Sequence, residues 1–318
     1  MHQADFILLW HTNMVKTALV TGAYGFMGRH VARQLARDSW RVIGIGHGSW
    51  SRDEWQQWGI AEWHVADITM ESLVTYGGQP SVIVHCAGSG SVGFSMTHPY
   101  QDFQRTVATT MAVLEFARLY APKAQVVYPS SAGVYGAVQK LPIVETEALS
   151  PASPYGVHKH IAETLCESYA RHFGVSVAVV RLFSVYGEGL RKQLLWDASQ
   201  KIMRGENRFF GTGEEIRDWL HVEDAARLLI VAARQASVQC PIVNGGSGEG
   251  VTVREILTEL FACFERTDAP NFSGVARSGD PAGYQADISI ARSWGWLPKT
   301  TWREGLRGYA DWFKSGAL

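Results

Sequence analysis

In its first half the chain alternates short, almost wholly apolar runs with longer stretches in which apolar residues recur every three or four positions. The runs at 16–21 (KTALVT), 41–46 (RVIGIG), 62–65, 81–85 (SVIVH), 124–128 (AQVVY) and 176–182 (SVAVVRL) predict strands. They lack the polar-apolar alternation of a sheet with one wet face, so both of their faces are expected to be buried. Between them the periodicity predicts helices at about 26–37, 98–119 and 155–173. Strands separated by helices indicate an α/β chain with a parallel sheet covered on both sides. After about residue 185 the rhythm loosens. Helices are predicted near 193–204, 223–236, 252–266 and 302–314, with glycine-rich loops between them (GTGEE, NGGSGEG, SGDPAGY). The expected division is a first domain at 14–184 with a return segment near 218–244, and a smaller second domain at 185–318 interleaved with it.

Composition adds exclusions. Among 318 residues, 46% are hydrophobic and 19% charged, with a formal net charge of −1, as in ordinary globular proteins. A near-zero charge gives no reason to expect a nucleic-acid or anionic-membrane partner. No apolar run approaches the length of a membrane helix, and the opening MHQADFILLW lacks the basic start of a signal peptide. Residues 1–14 read as an extension before the first strand, with Met14 a possible alternative start. Cys86, Cys166, Cys240 and Cys263 form no CxxC pair, so a disulfide or zinc framework is not expected and the cytoplasm is the expected compartment. The 11 histidines show no HExxH spacing, and no metal site is expected.

The strongest local signal is TALVTGAYGFMGRHVARQLA. A β-rich run ends at Thr21, Gly22, Gly25 and Gly28 follow at intervals of three, and an amphipathic helix begins. Glycine permits positive φ and lets a phosphate approach the backbone, while the helix start offers free N–H groups to an anion. This spacing resembles the TGxxGxxG turn of short-chain dehydrogenases/reductases, and Phe26 resembles the extended branch of that family. The resemblance implies a Rossmann-type doubly wound sheet with a smaller mixed substrate-binding domain. It also implies dinucleotide contacts from Gly22, Tyr24, Gly25, Phe26, Met27 and Gly28. Asp67 and Ile68 resemble the family's adenine-contacting pair, and HCAG, with Ala87 and Gly88, its strand end beside the nicotinamide ribose. NAD sites usually place a carboxylate at the end of the second strand. Here Gly46 and His47 stand there with Arg52 nearby, so the expectation leans to NADP read by His47 or Arg52, with NAD possible.

Tyr155 and Lys159 lie four apart in SPYGVHKH and so project from one helix face. Upstream, VVYPSSAGVYG resembles the family's Ser-Ser-Ala-x-Val-Tyr-Gly segment, whose second serine matches Ser131. Moving hydride between nicotinamide and a carbinol carbon requires a proton partner on oxygen. A tyrosine at its reference pKa of about 10 is a poor base at neutral pH, and nearby positive charge favours its phenolate. The expected roles are Tyr155 as acid/base, Lys159 as tuner and ribose anchor, and Ser131 as orienter. Ser131 lacks the GxSxG elbow of a serine hydrolase. Where 4,6-dehydratases of the family carry an acidic pair after this position, Ala132 and Gly133 cannot transfer protons, so dehydration is disfavoured.

The second half resembles the family in RLFSVYGEG, in FFGTGEEIRDWLHVED, and in RSGDPAGYQAD of the sugar-nucleotide epimerases. By this likeness Phe183 would line the cofactor and Ser184 the substrate. Arg217 and Arg277 would hold a diphosphate, with Tyr284 in the same segment. Phe210 would border the base, and Gln193 and Leu194 would meet its edge. Ser184 replaces the usual Asn, and Thr106-Val-Ala-Thr109-Thr110 replaces Asn-x-x-Gly-Thr. The leading expectation is an NADP-dependent reductase of an NDP-4-keto-6-deoxyhexose. The alternative is an NAD-dependent nucleotide-sugar 4-epimerase, which needs the same three residues. A cofactor-sensing scaffold and a reductase of non-sugar ketones are weaker readings. The resemblance also implies a homodimer built through the helices near 98–119 and 155–173, and polysaccharide biosynthesis as the setting.

Overall fold

Each of the six apolar runs forms a strand in the computed structural model of the chain, which describes residues 16–275 and 283–316. The first half runs β1 (Thr17–Thr21), α1 (Phe26–Arg37), β2 (Arg41–Gly46), α2 (Arg52–Gln57), β3 (Ile60–Val65), α3 (Met70–Tyr76) and β4 (Val82–His85). It continues with α4 (Val92–Thr97), α5 (Pro99–Phe103), α6 (Thr109–Tyr120), β5 (Gln125–Ser131), α7 (Pro154–Phe173) and β6 (Ser176–Leu182). The second half adds β7 (Ser184–Tyr186), α8 (Gln193–Met203), β8 (Arg208–Phe209), β9 (Ile216–His221), α9 (Val222–Gln235) and β10 (Ile242–Gly245). It closes with β11 (Gly250–Thr252), α10 (Val253–Cys263), β12 (Asn271–Phe272), α11 (Ser289–Ser293) and α12 (Trp302–Lys314).

Seven strands form one parallel sheet in the order β10-β6-β5-β4-β1-β2-β3. Its two faces are covered by separate apolar layers. Val31, Leu35, Leu228 and Leu229 of α1 and α9 pack on one, and Leu73, Val113, Phe116 and Cys166 of α3, α6 and α7 on the other. Strand order reverses at β1, whose neighbours are β2 and β4, so a crevice opens beyond its carboxyl end, where α/β sheets bind ligands.

Two of the departures from the sequence expectation bear on the main sheet and the site. The seventh strand, β10, falls at the start of a segment read as a glycine loop; its four residues are too few to show a period. The helix expected over 98–119 is interrupted between α5 and α6 by a π-helical turn at Gln104–Ala108. There the Thr109 hydroxyl donates to the Arg105 carbonyl at 2.7 Å and the Thr110 hydroxyl to the Thr106 carbonyl at 2.6 Å. Hydroxyls that bond backward along a helix in this way commonly accompany a bend.

Beyond the main sheet, β11, β9 and β7 form a second small sheet, and β8 pairs with β12. Helices α8, α10 and α12 close around Tyr186, Trp219, Phe261, Trp302 and Tyr309 to give this lobe its own apolar centre. The segment 222–245 returns to the main sheet through α9 and β10. No helix among the described residues is long and apolar enough to cross a membrane.

Candidate active site

The glycine turn after β1 has the geometry that its residue types predict. Gly22 has φ of +67° and lies so close to the next strand end that a Cβ would stand 2.6 Å from the Ala87 nitrogen. A methyl at Gly28 would run into the Gly22 carbonyl. The turn closes by Gly25 N–H donating to Gly22 O at 2.9 Å. Gly25 caps α1 without a side-chain hydrogen bond, and no acidic residue sits in the first turn. The helix start is therefore uncapped and positive, as a pyrophosphate requires. Phe26 and Met27 begin the helix, while the Tyr24 ring packs edge-on against Trp50 at 4.8 Å. These residues fit a dinucleotide.

At the adjoining strand ends, His47 Nε2 lies 2.8 Å from Asp67 Oδ1, both side chains exposed. The histidine expected to read a 2′-phosphate is thus held by a carboxylate that would repel one. Arg52 stands exposed at the start of α2. Ile68 packs against the apolar layer beneath the sheet, and Gly88 has φ of +150°. The Ala87 N–H donates to Thr21 Oγ1 at 3.3 Å. Phe183 lies between Tyr135 and Tyr284.

Ser131 ends β5 and Tyr155 is the second residue of α7. Ser153 caps that helix by accepting from Gly156 N–H at 3.2 Å, with Pro154 at its first position. Gly156 lets α7 approach the turn after Ser131, because a Cβ there would stand 2.5 Å from the Gly133 carbonyl. In this way two distant segments bring the Ser131 hydroxyl and the Tyr155 phenol together. Burial raises the Tyr155 pKa above its ordinary value, the Ser131 hydrogen bond opposes that rise, and the charge of Asp102 adds to it. Gly133 flanks both groups, and a Cβ on it would stand 3.4 Å from Ser131 Oγ. The absence of a proton-transfer side chain there is a feature of the site.

Lys159 is buried, donates from Nζ to the Pro129 carbonyl at 2.8 Å, and has its pKa lowered to about 8 by burial. Its ammonium faces Pro129 and lies over the Tyr128 ring.

Across the crevice lies a cavity of about 260 Å³ lined by Ser184, Gln193, Leu194, Phe210, Arg217 and Trp219, among others. Five of the seven expected substrate contacts therefore share one wall. Arg217 Nη1 donates to the Ile216 carbonyl at 2.8 Å. The neighbouring Asp218 is an internal clasp, accepting from the N–H groups of Ser247 (2.5 Å), Gly248 (3.0 Å) and Ala286 (3.0 Å). Tyr284 is not part of that wall. Its hydroxyl donates to the Gly136 carbonyl at 2.8 Å, tethering the loop after the Ser131 turn. Arg277 lies outside the described residues.

A model of the NAD dependent epimerase/dehydratase family matches residues 18–245, which include the glycine turn, Ser131, Tyr155 and Lys159. The chain belongs to that family. It is 29% identical to a putative UDP-glucose 4-epimerase of Methanocaldococcus jannaschii, over 93% of this chain and 98% of that protein. Among solved structures it matches UDP-glucose 4-epimerase with UDP-glucose from Thermotoga maritima, with a TM-score of 0.85 at 27% identity, covering 95% of this chain and 100% of that one. It also matches MoeE5 in complex with UDP-glucuronic acid and NAD, with a TM-score of 0.82 at 28% identity, covering 94% and 99%.

Within this epimerase/dehydratase framework several partners were not read from the sequence. His85 is buried between Thr21 (2.7 Å) and Thr109 (3.4 Å), and burial, with the Lys159 charge, pushes its pKa down to about 3. The Thr106 hydroxyl accepts from Ser89 N–H at 3.4 Å, so the threonine in the family's Asn position supports the loop after β4. Ser95 Oγ accepts from Tyr155 N–H at 3.0 Å, and Asp102 bonds His158. Pairs so far apart along the chain have no local signal; only the position of His158 inside the YxxxK spacing could have drawn notice.

Proposed function

We propose that this protein is an NAD-dependent 4-epimerase of a UDP-sugar. The observation that carries the reading is the meeting of Ser131 and Tyr155 beside a dinucleotide turn, with two residues incapable of proton transfer following Ser131. Such a site can oxidise and reduce a carbinol carbon and lacks the acid and base for removing water. A putative UDP-glucose 4-epimerase and a solved UDP-glucose 4-epimerase, matched along nearly their whole length, favour epimerisation over the 4-keto reduction that the sequence first suggested.

In this account Ser131 bonds the C4 oxygen of the sugar and holds it in line. Tyr155 takes the hydroxyl proton as hydride leaves C4, and returns it once the 4-keto sugar has presented its other face. A dinucleotide held by the glycine turn would supply the hydride acceptor and a positive charge that favours the phenolate. Arg217 and Phe210 hold the nucleotide end in the cavity. NAD is preferred to NADP because Asp67 occupies His47, and because MoeE5 was solved with NAD.

A homodimer fits the exposed apolar side chains Met96, Tyr100, Phe103, Met111, Tyr120 and Val157 along α4–α7. The four thiols are free, in keeping with a reducing cytoplasm.

The test is to purify the protein without added cofactor, denature it and identify the released dinucleotide by mass spectrometry. Near-stoichiometric NAD⁺ supports an epimerase, whose cycle regenerates its cofactor. Exchangeable NADP(H) would return the reading to a reductase.

A further inference from the structure

The two lobes approach each other where Lys192, the residue before α8, reaches the loop that follows β4. A Cβ at Gly90 of that loop would stand 3.2 Å from Lys192 Nζ, so glycine leaves room for the ammonium. Lys192 is exposed at the crevice, and the protein around it partly desolvates its ammonium and lowers its pKa. Among the described residues no carboxylate pairs with it, whereas Arg33, Arg181 and Arg254 each have one. A partly desolvated ammonium without a counter-charge, in a crevice between lobes, is unfavourable unless a ligand supplies the anion.

Its place defines which anion. Gly90 lies on the loop leading into α4, whose Ser95 Oγ accepts from the Tyr155 N–H, so this segment borders the proton-transfer group. Lys192 immediately precedes Gln193 and Leu194 of the cavity wall, where Arg217 provides the cation for the nucleotide end. The ammonium thus borders the crevice between these two segments, where the sugar of a bound substrate would lie. A 6-deoxy sugar would set a methyl group against it, and a neutral hexose only a hydroxyl.

Resting on the 4-epimerase reading, we infer that Lys192 holds a carboxylate on the sugar, and that the substrate is a nucleotide-linked uronic acid. The ammonium donates to the C6 carboxylate while Ser131 and Tyr155 engage the C4 oxygen. Charge-assisted bonds of this kind are about twice as strong as neutral ones.

The experiment is calorimetric titration of the NAD-loaded protein with UDP-glucuronate, UDP-glucose and UDP. The wild type is compared with Lys192→Met and Lys192→Arg. The expected result is a loss of about tenfold or more for UDP-glucuronate in Lys192→Met, recovery in Lys192→Arg, and little change for UDP-glucose or UDP. An equal loss for all three ligands would make Lys192 a diphosphate contact and overturn the inference, as would no loss for any. If Lys192→Met does not fold, Lys192→Gln takes its place. Binding needs no turnover. Lys192-dependent binding of UDP-glucuronate without epimerisation would break the 4-epimerase reading and leave the carboxylate contact standing.

Discussion

Asp102 of α5, fully buried, accepts a 2.6 Å hydrogen bond through Oδ2 from Nδ1 of His158, the residue before Lys159 on α7. Its second oxygen, Oδ1, has no partner. A buried carboxylate so close to the site acts on Tyr155 and, after burial itself, helps hold the phenol proton on. The hydrogen bond from His158 is the one side-chain bond that this carboxylate accepts among the described residues.

Asp102→Asn should therefore shift the acidic limb of the kcat profile to lower pH, because removing the negative charge makes the phenolate easier to form. His158→Ala should shift it to higher pH by removing the hydrogen bond that Asp102 accepts. Both limbs are read from initial rates between pH 5 and 9. Matching shifts of KM with an unmoved limb would make the pair a scaffold only.

His30 and His85 make the protein acid-labile. Both are buried with pKa values lowered to about 3, chiefly by burial. Between that value and the ordinary 6.5 the unfolded chain binds more protons than the folded one, so stability falls as pH drops through this window. Two such groups are worth on the order of several kcal/mol by pH 4. Urea unfolding at pH 7, 5.5 and 4.5 should show a steep fall, and His85→Asn should flatten it. A midpoint independent of pH would contradict the neutral burial of these rings.

Glu163 and Arg181 clamp α7 to β6 through a buried pair 2.8 Å apart, with Tyr135 accepting from Arg181 Nη1 at 3.1 Å. Glu163 is one turn beyond Lys159, so this clamp helps to set the helix that carries the site. Removing one partner of such a pair typically costs about 3–5 kcal/mol. Glu163→Gln should lower the urea midpoint accordingly, whereas the double change Glu163→Leu with Arg181→Met should recover much of the loss.

Elements whose chemistry is local were legible in the sequence. Most of the six strands could be read because parallel strands buried on both faces are written as runs of Val, Ile and Leu; β3, at the sheet edge and half-exposed, carries Glu62 and His64 and does not follow that rule. The glycine turn was legible because positive φ and close backbone approach exclude other residues. Tyr155 and Lys159 share a helix face by spacing alone, but spacing could not say that Lys159 turns to Pro129. The contact between His47 and Asp67 was not legible for a related reason: the carboxylate arrives from the loop after β3. The Asp102–His158 and Gly90–Lys192 relationships join segments that only the fold brings together. The choice between reductase and epimerase was not legible either, since both chemistries use the same side chains.

The central claim is that hydride leaves C4 and returns to it within one active site. The measurement is incubation of the purified protein, without added cofactor, with UDP-glucuronate and UDP-glucose deuterated at C4, followed by NMR and mass spectrometry of the products. The expected result is a 4-epimer that keeps its deuterium, with no net change in nicotinamide absorbance. Loss of deuterium to solvent, or no epimer from either sugar while added NADPH is consumed with a 4-keto sugar, would contradict it.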